Sequence, residues 1–181
     1  MKFTDRRLLL SGDIDYNSTH SIIRSIIDIN AEDELIEKTN KNYKRIPIKL
    51  FINSPGGNVY DGFALIDIIR NSKTPIYTIA LGAAMSMGML IYTVGHKRFV
   101  GEYATLMFHD VSSAVADKLE SIQDRISELK RIQAMICTVV TYNSKVSLEQ
   151  LAYKLNQKED WYISAKEALH LGLAEDYFKG L

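Results

Sequence analysis

Apolar runs alternate with helical patterns along the chain. The runs with the length and apolar content of strands occupy residues 7–10, 46–52, 76–81, 98–100 and 105–108. The first three are followed by segments with apolar residues at helical spacing, at 16–30, 59–70 and about 86–94. This alternation indicates βαβ units and a mainly parallel sheet, so the predicted fold class is α/β. Ser11-Gly12-Asp13 is expected to end the first strand.

The segment 118–144 has a different pattern. Apolar residues recur at threes and fours from Leu119 to Val139, and no Gly or Pro interrupts them. The pattern predicts one amphipathic helix about 40 Å long. Such a helix overshoots a compact domain of this size, so part of its apolar stripe is expected to pack on another subunit. A helix that bends back across its own core remains the alternative.

The C-terminal region contains a predicted helix with clear boundaries. Ser164 and Glu167 form a capping-box pattern, and Gly172 stands where a left-handed residue would end the helix. Residues 173–178 are then predicted to form a final strand. No repeat or flexible linker divides the 181 residues, which fit one domain with one core.

The composition excludes several classes of protein. Hydrophobic residues make up 46% of the chain, which rules out a mainly disordered protein, and the 22 basic residues balance the 22 acidic ones. A balanced chain has no overall field that favours nucleic acid or an anionic membrane. The single cysteine, Cys137, excludes an internal disulfide and a cysteine metal cluster, and we interpret it as a buried structural thiol.

Nothing in the sequence has the pattern of a membrane span or a secretion signal. Each apolar stretch is interrupted by Gly or by a charge before it is long enough to cross a bilayer. We therefore expect a cytoplasmic protein in a reducing compartment. The polar stretch 37–45 is predicted to be a solvated loop.

A glycine-containing segment, Asn53-Ser54-Pro55-Gly56-Gly57, follows the second predicted strand. The carboxyl ends of parallel strands are where open α/β folds bind ligands. Paired glycines have no Cβ, so their backbone N–H groups can approach a substrate closely. Turn statistics alone favour an ordinary Pro-Gly turn.

A second segment, Gly82–Gly88, lies between a predicted strand and a helix and contains Ser86. Its small residues allow a tight turn that places the Ser86 hydroxyl at the start of the helix. There the N–H of Met87 would stabilise a developing oxyanion. The alternative is that Ser86 is an ordinary helix N-cap. The segment lacks the Gly-x-Ser-x-Gly motif of α/β-hydrolases.

A nucleophilic serine needs a base, and His109 is the candidate because it ends an apolar strand 23 positions after Ser86. The other three histidines have simple structural explanations: His20, His96 and His170. Sequence spacing alone does not choose the acid that would orient the imidazole. Four aspartates remain open at this point: Asp110, Asp117, Asp160 and Asp176.

The motifs, taken together and in order, resemble the proteolytic subunits of the Clp protease family. They are Asn53–Gly57, Gly82–Gly88 around Ser86, Met107-Phe108-His109, and Glu159-Asp160 ahead of Ser164–Ala168 and Gly172-Leu173. The resemblance spans about residues 8–177. It implies a ClpP/crotonase-like fold of repeated β-β-α and βαβ units in a single peptidase domain. The head would comprise about residues 1–110 and 146–181, and the protruding handle helix about 111–145.

The resemblance also implies roles for individual residues. Ser86 would attack the peptide carbonyl, His109 would take its proton, and Asp160 would orient His109. The N–H groups of Gly57 and Met87 would form the oxyanion hole. The substrates would be unfolded polypeptides or short peptides, cut without a metal or a cofactor.

The family further implies a homo-oligomer of stacked seven-membered rings. Its partner would be a hexameric AAA+ unfoldase, which alone would use ATP. Most of the N-terminal segment that forms the axial pore loops in the family is missing here, which weakens the expectation of that partner.

Two other functions stay open from the sequence. One is a crotonase-type acyl-CoA hydratase or isomerase, in which backbone N–H groups polarise a thioester. No acidic pair is evident near the two glycine-containing segments, and Ser86, His109 and Asp160 would be redundant. The other is a catalytically inactive ring subunit that supports an active paralogue, and the complete set of candidate residues speaks against it.

Overall fold

The computed structural model describes residues 5–111 and 119–180. Within them the strands are β1 Arg7–Ile14, β2 Ile48–Gly57, β3 Ile76–Met85, β4 Lys97–Val100, β5 Thr105–Phe108, β6 Trp161–Ser164 and β7 Asp176–Tyr177. The helices are α1 Tyr16–Thr39, α2 Val59–Asn71, α3 Met87–Thr93, α4 Leu119–Tyr142, α5 Leu148–Gln157 and α6 Ala165–His170.

The strands form one sheet in the order β1-β2-β3-β4-β7, and all of these neighbours are parallel. β5 also runs parallel to the carboxyl end of β3, while β6 pairs with β5 in the antiparallel sense. The predicted α/β class with a mainly parallel sheet is therefore confirmed. The antiparallel pair β5–β6 was not predicted.

The core lies between the first three strands and the helices that connect them. Aliphatic side chains from β1, β2 and β3 pack against α1, α2 and α3, and the members that are at most 4% exposed include Leu10, Ile22, Ile26, Leu50, Ile52, Leu65, Ile69, Ile76 and Leu90. Fully burying one such side chain contributes about 1.5–3 kcal/mol. This packing fixes the rim of the sheet at which β2 and β3 end.

Strands β1 and β3 run further than the sequence predicted. β1 continues through Ser11-Gly12-Asp13 to Ile14, with a register shift against β2 at that point and a φ of +80° at Gly12. β3 continues past Gly82 to Met85. Because a neighbouring strand supplies hydrogen-bond partners, a glycine here bends the strand without ending it. The chain therefore leaves β3 at Ser86 itself.

Helix α1 ends at Thr39, nine residues beyond its predicted end at residue 30. Asp33 on this extension is completely buried and forms an ion pair with Arg6. The hydroxyls of Thr74 and Tyr43 each donate a hydrogen bond to it at 2.6 Å. Burial alone would raise the pKa of Asp33, but the hydrogen bonds from Arg6, Thr74 and Tyr43 outweigh it and lower the pKa to about 2.

The prediction that residues 37–45 form a solvated loop was wrong at both ends. Residues 37–39 belong to α1, and the side chain of Arg45 is only 9% exposed. Its guanidinium pairs with Glu37 and also donates to the hydroxyl of Thr74 at 3.1 Å. Charges this close to the core are tolerated because each one has a partner.

Helix α4 confirms the long helix that the apolar pattern predicted. Its C-terminal half is packed through Ile132, Ile136, Val139 and Val140, each at most 6% exposed, and the helix contacts α3 and α5. The first half differs, since Ile126 is 45% exposed. For the second half of α4, the structure therefore agrees with the alternative, in which the helix packs on the core of its own chain.

Helix α5 was not predicted, although the sequence carries its signal. Ser147 caps the helix by accepting from the Gln150 N–H, and the Gln150 side chain accepts from the Ser147 N–H. The capping box at Ser164 and Glu167, which was predicted, is confirmed, and Gly172 has a φ of +66°. Among the described helices, none combines the length and the apolar character needed to cross a membrane.

Candidate active site

The candidate site lies at the rim where three strands end side by side. β2 ends at Gly57, β3 ends one residue before Ser86, and β5 ends one residue before His109. The register pairs Met85 with Met107, and the Ser86 N–H donates to the Met107 carbonyl at 2.8 Å. Because β3 and β5 are neighbours in the sheet, their next residues have to lie close together.

Ser86 has a backbone conformation that is rare for a residue with a side chain. Its φ is 52° and its ψ is −122°, and its side chain makes no capping hydrogen bond to α3. The interpretation of Ser86 as an ordinary N-cap was therefore wrong. Such backbone strain costs about 1–3 kcal/mol and is concentrated at functional sites. The strained turn brings the hydroxyl to His109, with Oγ and Nε2 separated by 2.7 Å.

The β5–β6 ladder brings His109 to Asp160. It pairs Thr105 with Ser164 and ends at Phe108 opposite Trp161, so the next step in register sets residue 109 opposite residue 160. The distance from His109 Nδ1 to Asp160 Oδ1 is 3.8 Å, which is within reach of an ion pair but too long for a hydrogen bond. The carboxylate is half exposed and also accepts from the Tyr162 hydroxyl at 3.4 Å.

The other aspartates that the spacing left open lie elsewhere or make no contact with the imidazole. Asp110 lines the cavity beside Ser86, but within the described residues no hydrogen bond or ion pair joins it to His109. Asp176 is on β7 at the far edge of the sheet, where it pairs with Lys179. Asp117 lies outside the described residues.

The other histidines have structural partners. The ring of His20 stacks on Tyr16 with centroids 5.2 Å apart. His96 Nδ1 accepts the Ile76 N–H at 3.1 Å. His170 occupies the last turn of α6, where a positive charge is favoured by the helix dipole. Within the described chain, only His109 meets a serine hydroxyl at the rim.

The Gly56-Gly57 segment is part of β2, so the interpretation of an ordinary Pro-Gly turn was wrong. A Cβ on Gly56 would lie 2.7 Å from the Cβ of Ser86. Gly57 has a φ of +150°, and a Cβ there would collide with the Ile14 carbonyl. Glycine is thus required at both positions by close approach. Gly57 and Met87 lie on the wall of the same cavity as Ser86.

The family of the chain follows from a comparison with known proteins. A model of the Clp protease family matches residues 2–179. The chain belongs to the Clp protease family. It is also 30% identical over 170 residues to ATP-dependent Clp protease proteolytic subunit 2 of Treponema pallidum, an alignment that covers 93% of this chain and 79% of that protein.

Membership in the Clp protease family confirms the resemblance that was stated from the four sequence motifs. It supports a Clp-type protease and does not favour an acyl-CoA enzyme. The mixed α/β architecture, with a mainly parallel sheet, agrees with the fold that the resemblance implied.

The cavity beside Ser86 has a volume of about 290 Å³, and polar and apolar groups share its wall about equally. The apolar side chains on that wall come from Pro55, Val59, Met87, Leu90, Met107, Phe108, Val111 and Ile136. Buried methionine side chains adapt their shape to different occupants.

Sequence analysis missed one polar residue that reaches the site. Gln133 on α4 accepts the Val111 N–H through Oε1 at 2.9 Å, two residues after His109. No local signal marks it, because an isolated glutamine in a long amphipathic helix is ordinary.

Within the described residues no cluster of side chains has the composition of a metal site. The Cys137 thiol is buried and is not part of a disulfide.

Proposed function

We propose that this chain is the proteolytic subunit of a Clp-type protease, a serine endopeptidase in which Ser86 is the nucleophile. His109 is the general base and Asp160 orients it. The observation that carries this proposal is the 2.7 Å separation of Ser86 Oγ and His109 Nε2 at the carboxyl rim of the sheet. A hydroxyl on a strained turn, within hydrogen-bond reach of an imidazole, is the arrangement of an activated nucleophile.

Peptide hydrolysis follows from this geometry in two steps. Ser86 Oγ attacks the peptide carbonyl carbon while His109 Nε2 takes the hydroxyl proton, and the tetrahedral intermediate expels the amine, which receives that proton. Water then attacks the acyl ester and gives its proton to His109. The ester bond breaks, Ser86 regains a proton from His109, and the carboxylic acid leaves.

Asp160 stabilises the imidazolium that forms in each step. At 3.8 Å it lies about 1 Å beyond hydrogen-bond distance of Nδ1. Catalytic hydrogen bonds are often long in the free enzyme and tighten when substrate binds. In the proposed mechanism, the half-exposed Asp160 side chain rotates to close this gap when substrate binds.

The N–H groups of Gly57 and Met87 are proposed as the oxyanion hole. Both residues share a cavity wall with Ser86, one at the end of β2 and the other at the start of α3. Removing a donor of this kind typically lowers kcat by roughly 100- to 1000-fold. The apolar side chains on one part of that wall would contact a side chain of an unfolded polypeptide or a short peptide.

The assembly is proposed to be a homo-oligomer of stacked seven-membered rings, a tetradecamer, with α4 as the handle between rings. This part of the proposal rests on the family to which the chain belongs, and it would give the exposed Ile126 on the first half of α4 a second copy to pack against. A hexameric AAA+ unfoldase is proposed as the partner that consumes ATP. The peptidase itself needs no cofactor, and its buried, unpaired Cys137 suits a reducing, cytoplasmic compartment.

Hydrolysis of a fluorogenic peptide, compared with turnover of a crotonyl thioester, tests the proposal. The purified chain is expected to cleave the peptide and not the thioester, and Ser86→Ala is expected to abolish cleavage. Ser127→Ala on the exposed part of α4 is the matched control and should leave the rate unchanged. Thioester turnover, or peptide turnover that persists in Ser86→Ala, would overturn the assignment. A folded chain with no activity toward either substrate would favour an inactive ring subunit.

A further inference from the structure

The segment that carries the candidate base is held at both ends. On the N-terminal side, His109 follows β5, which pairs with β3 and β6. On the C-terminal side, the Val111 N–H donates to Gln133 Oε1 at 2.9 Å. Gln133 lies on α4, so this contact ties the segment 109–111 to a helix outside the sheet.

The Gln133 side chain is itself fixed. It is partly buried, and its Nε2 donates to Cys137 Sγ at 3.6 Å, one turn along the helix. The Val111 N–H can only donate, so the amide presents its acceptor, Oε1, to it. The donor Nε2 then faces the Cys137 sulfur, which is a weak acceptor. The amide is therefore oriented from both sides.

The contact is part of the wall of the candidate active site. His109, Val111 and Ile136 all line the 290 Å³ cavity that contains Ser86. A change at Gln133 therefore reaches the cavity through the backbone of Val111, without direct contact with a substrate. Without this acceptor, the partly buried Val111 N–H would lose its partner and the segment after β5 would lose its second anchor.

We propose that Gln133 is a positioning residue that sets the imidazole of His109 against Ser86 by anchoring the Val111 N–H. This inference rests on the proposed function, since it assigns a role relative to the proposed base. A displacement of about 1 Å in a catalytic group can cost roughly 100-fold in rate. Only one residue, Asp110, lies between Val111 and His109, so the chain has little freedom to absorb the loss of the hydrogen bond.

Three variants of the full-length protein test the proposal. Gln133→Met keeps the length of the side chain but removes the acceptor, and it is expected to lower kcat for a peptide by roughly 10- to 100-fold with little change in KM. Gln133→Glu retains an acceptor for the Val111 N–H and is expected to restore most of kcat. Gln123→Met, on an exposed position of the same helix, is the matched control and should match the wild type.

The split between kcat and KM, measured beside the urea midpoint of unfolding, separates positioning from a merely structural role. A positioning role lowers kcat in Gln133→Met while the unfolding midpoint stays near that of the wild type, and the acceptor in Gln133→Glu restores kcat. Wild-type kcat in Gln133→Met, or an equal loss of kcat in Gln133→Met and Gln133→Glu, would overturn the proposal. If Gln133→Met does not fold, Gln133→Ala replaces it with the same expected loss of kcat, and wild-type kcat in that variant overturns the proposal.

Failure of this inference is distinct from failure of the proposed function. If the wild type cleaves peptide through Ser86 but Gln133→Met is equally fast, only the positioning role is lost. If the wild type itself cleaves no peptide, the proposed function fails, and with it the assignment of His109 as the base.

Discussion

His109 and Asp160 lie opposite each other one step beyond the β5–β6 ladder, with Nδ1 of the imidazole 3.8 Å from Oδ1 of the carboxylate. The ladder sets the spacing of the two backbones, and rotation of the side chains is the movement that the proposed mechanism requires. In the same structure, the other ring nitrogen of His109 is already 2.7 Å from the Ser86 hydroxyl. The contact between serine and histidine is formed, and that between histidine and aspartate is open.

Replacing the acid tests whether the open contact closes during the reaction. Asp160→Asn is expected to lower kcat for a peptide by roughly 100- to 10,000-fold, because the imidazolium loses its counter-charge and its fixed tautomer. Steady-state kinetics measure the effect. Asp176→Asn on β7, at the far edge of the sheet, is the control and should retain the wild-type kcat. Equal activity of the two variants would show that Asp160 does not orient the base.

The two glycines 12 and 57 differ in a way that predicts different costs for alanine. At Gly12 the φ is +80° and a Cβ would meet nothing within 4 Å, so Gly12→Ala is expected to cost only about 1–2 kcal/mol of conformational strain. At Gly57 the φ is +150° and a Cβ would lie 2.3 Å from the Ile14 carbonyl oxygen. Gly57→Ala is therefore expected to be clearly the more destabilising, and also to abolish peptidase activity.

Urea unfolding of both glycine variants measures the difference. The midpoint of Gly12→Ala should fall slightly and that of Gly57→Ala much further. Similar midpoints for the two variants would show that the backbone at Ile14 moves to accommodate the added methyl group at little cost in stability.

The buried carboxylate of Asp33 predicts a dependence of stability on pH. The pKa of Asp33 is lowered from 3.8 to about 2 in the folded protein, so its ion pair and hydrogen bonds stabilise the fold fully above the unfolded pKa. That contribution, roughly 2 kcal/mol, is lost as the pH falls from about 5 to about 2. Asp33→Asn should be destabilised at pH 7, and its deficit relative to the wild type should shrink across that window.

Urea unfolding between pH 7 and pH 3 checks the prediction for Asp33. Asp28→Asn is the matched control, because Asp28 lies on the same helix but its side chain is 52% exposed beside Arg24. The substitution Asp28→Asn should change the free energy of unfolding only slightly at every pH, as for other exposed ion pairs. A deficit of Asp33→Asn that stays constant down to pH 3 would show that the ionised form of Asp33 is not what stabilises the fold.

Sequence patterns predicted the two residues that follow strands at the rim, because Ser86 and His109 stand where apolar runs end. The spacing along the sequence did not identify which of the four aspartates orients His109. That choice needs the β5–β6 register, which sets residue 160 opposite residue 109, and β6 is a four-residue strand with too few positions to show an alternation. The family resemblance, and not the spacing, predicted Asp160.

The errors in the predicted fold share a physical cause. Glycines and charges were taken as ends of elements, but β1 and β3 pass through Gly12 and Gly82 because neighbouring strands hold them. Asp33 lies beyond the predicted end of the first helix, yet it is buried on α1 because Arg6, 27 positions away, supplies the compensating charge. Partners distant in sequence decide these cases, and a local pattern does not contain them.

The most direct test of the central claim is the labelling of Ser86 by a fluorophosphonate, located by mass spectrometry of the digested protein. In the wild type the label is expected on Ser86, and in His109→Ala its rate of attachment should fall by at least roughly 100-fold, because the hydroxyl loses its base. Labelling of a different residue, or an undiminished rate at Ser86 in a folded His109→Ala variant, would contradict the account.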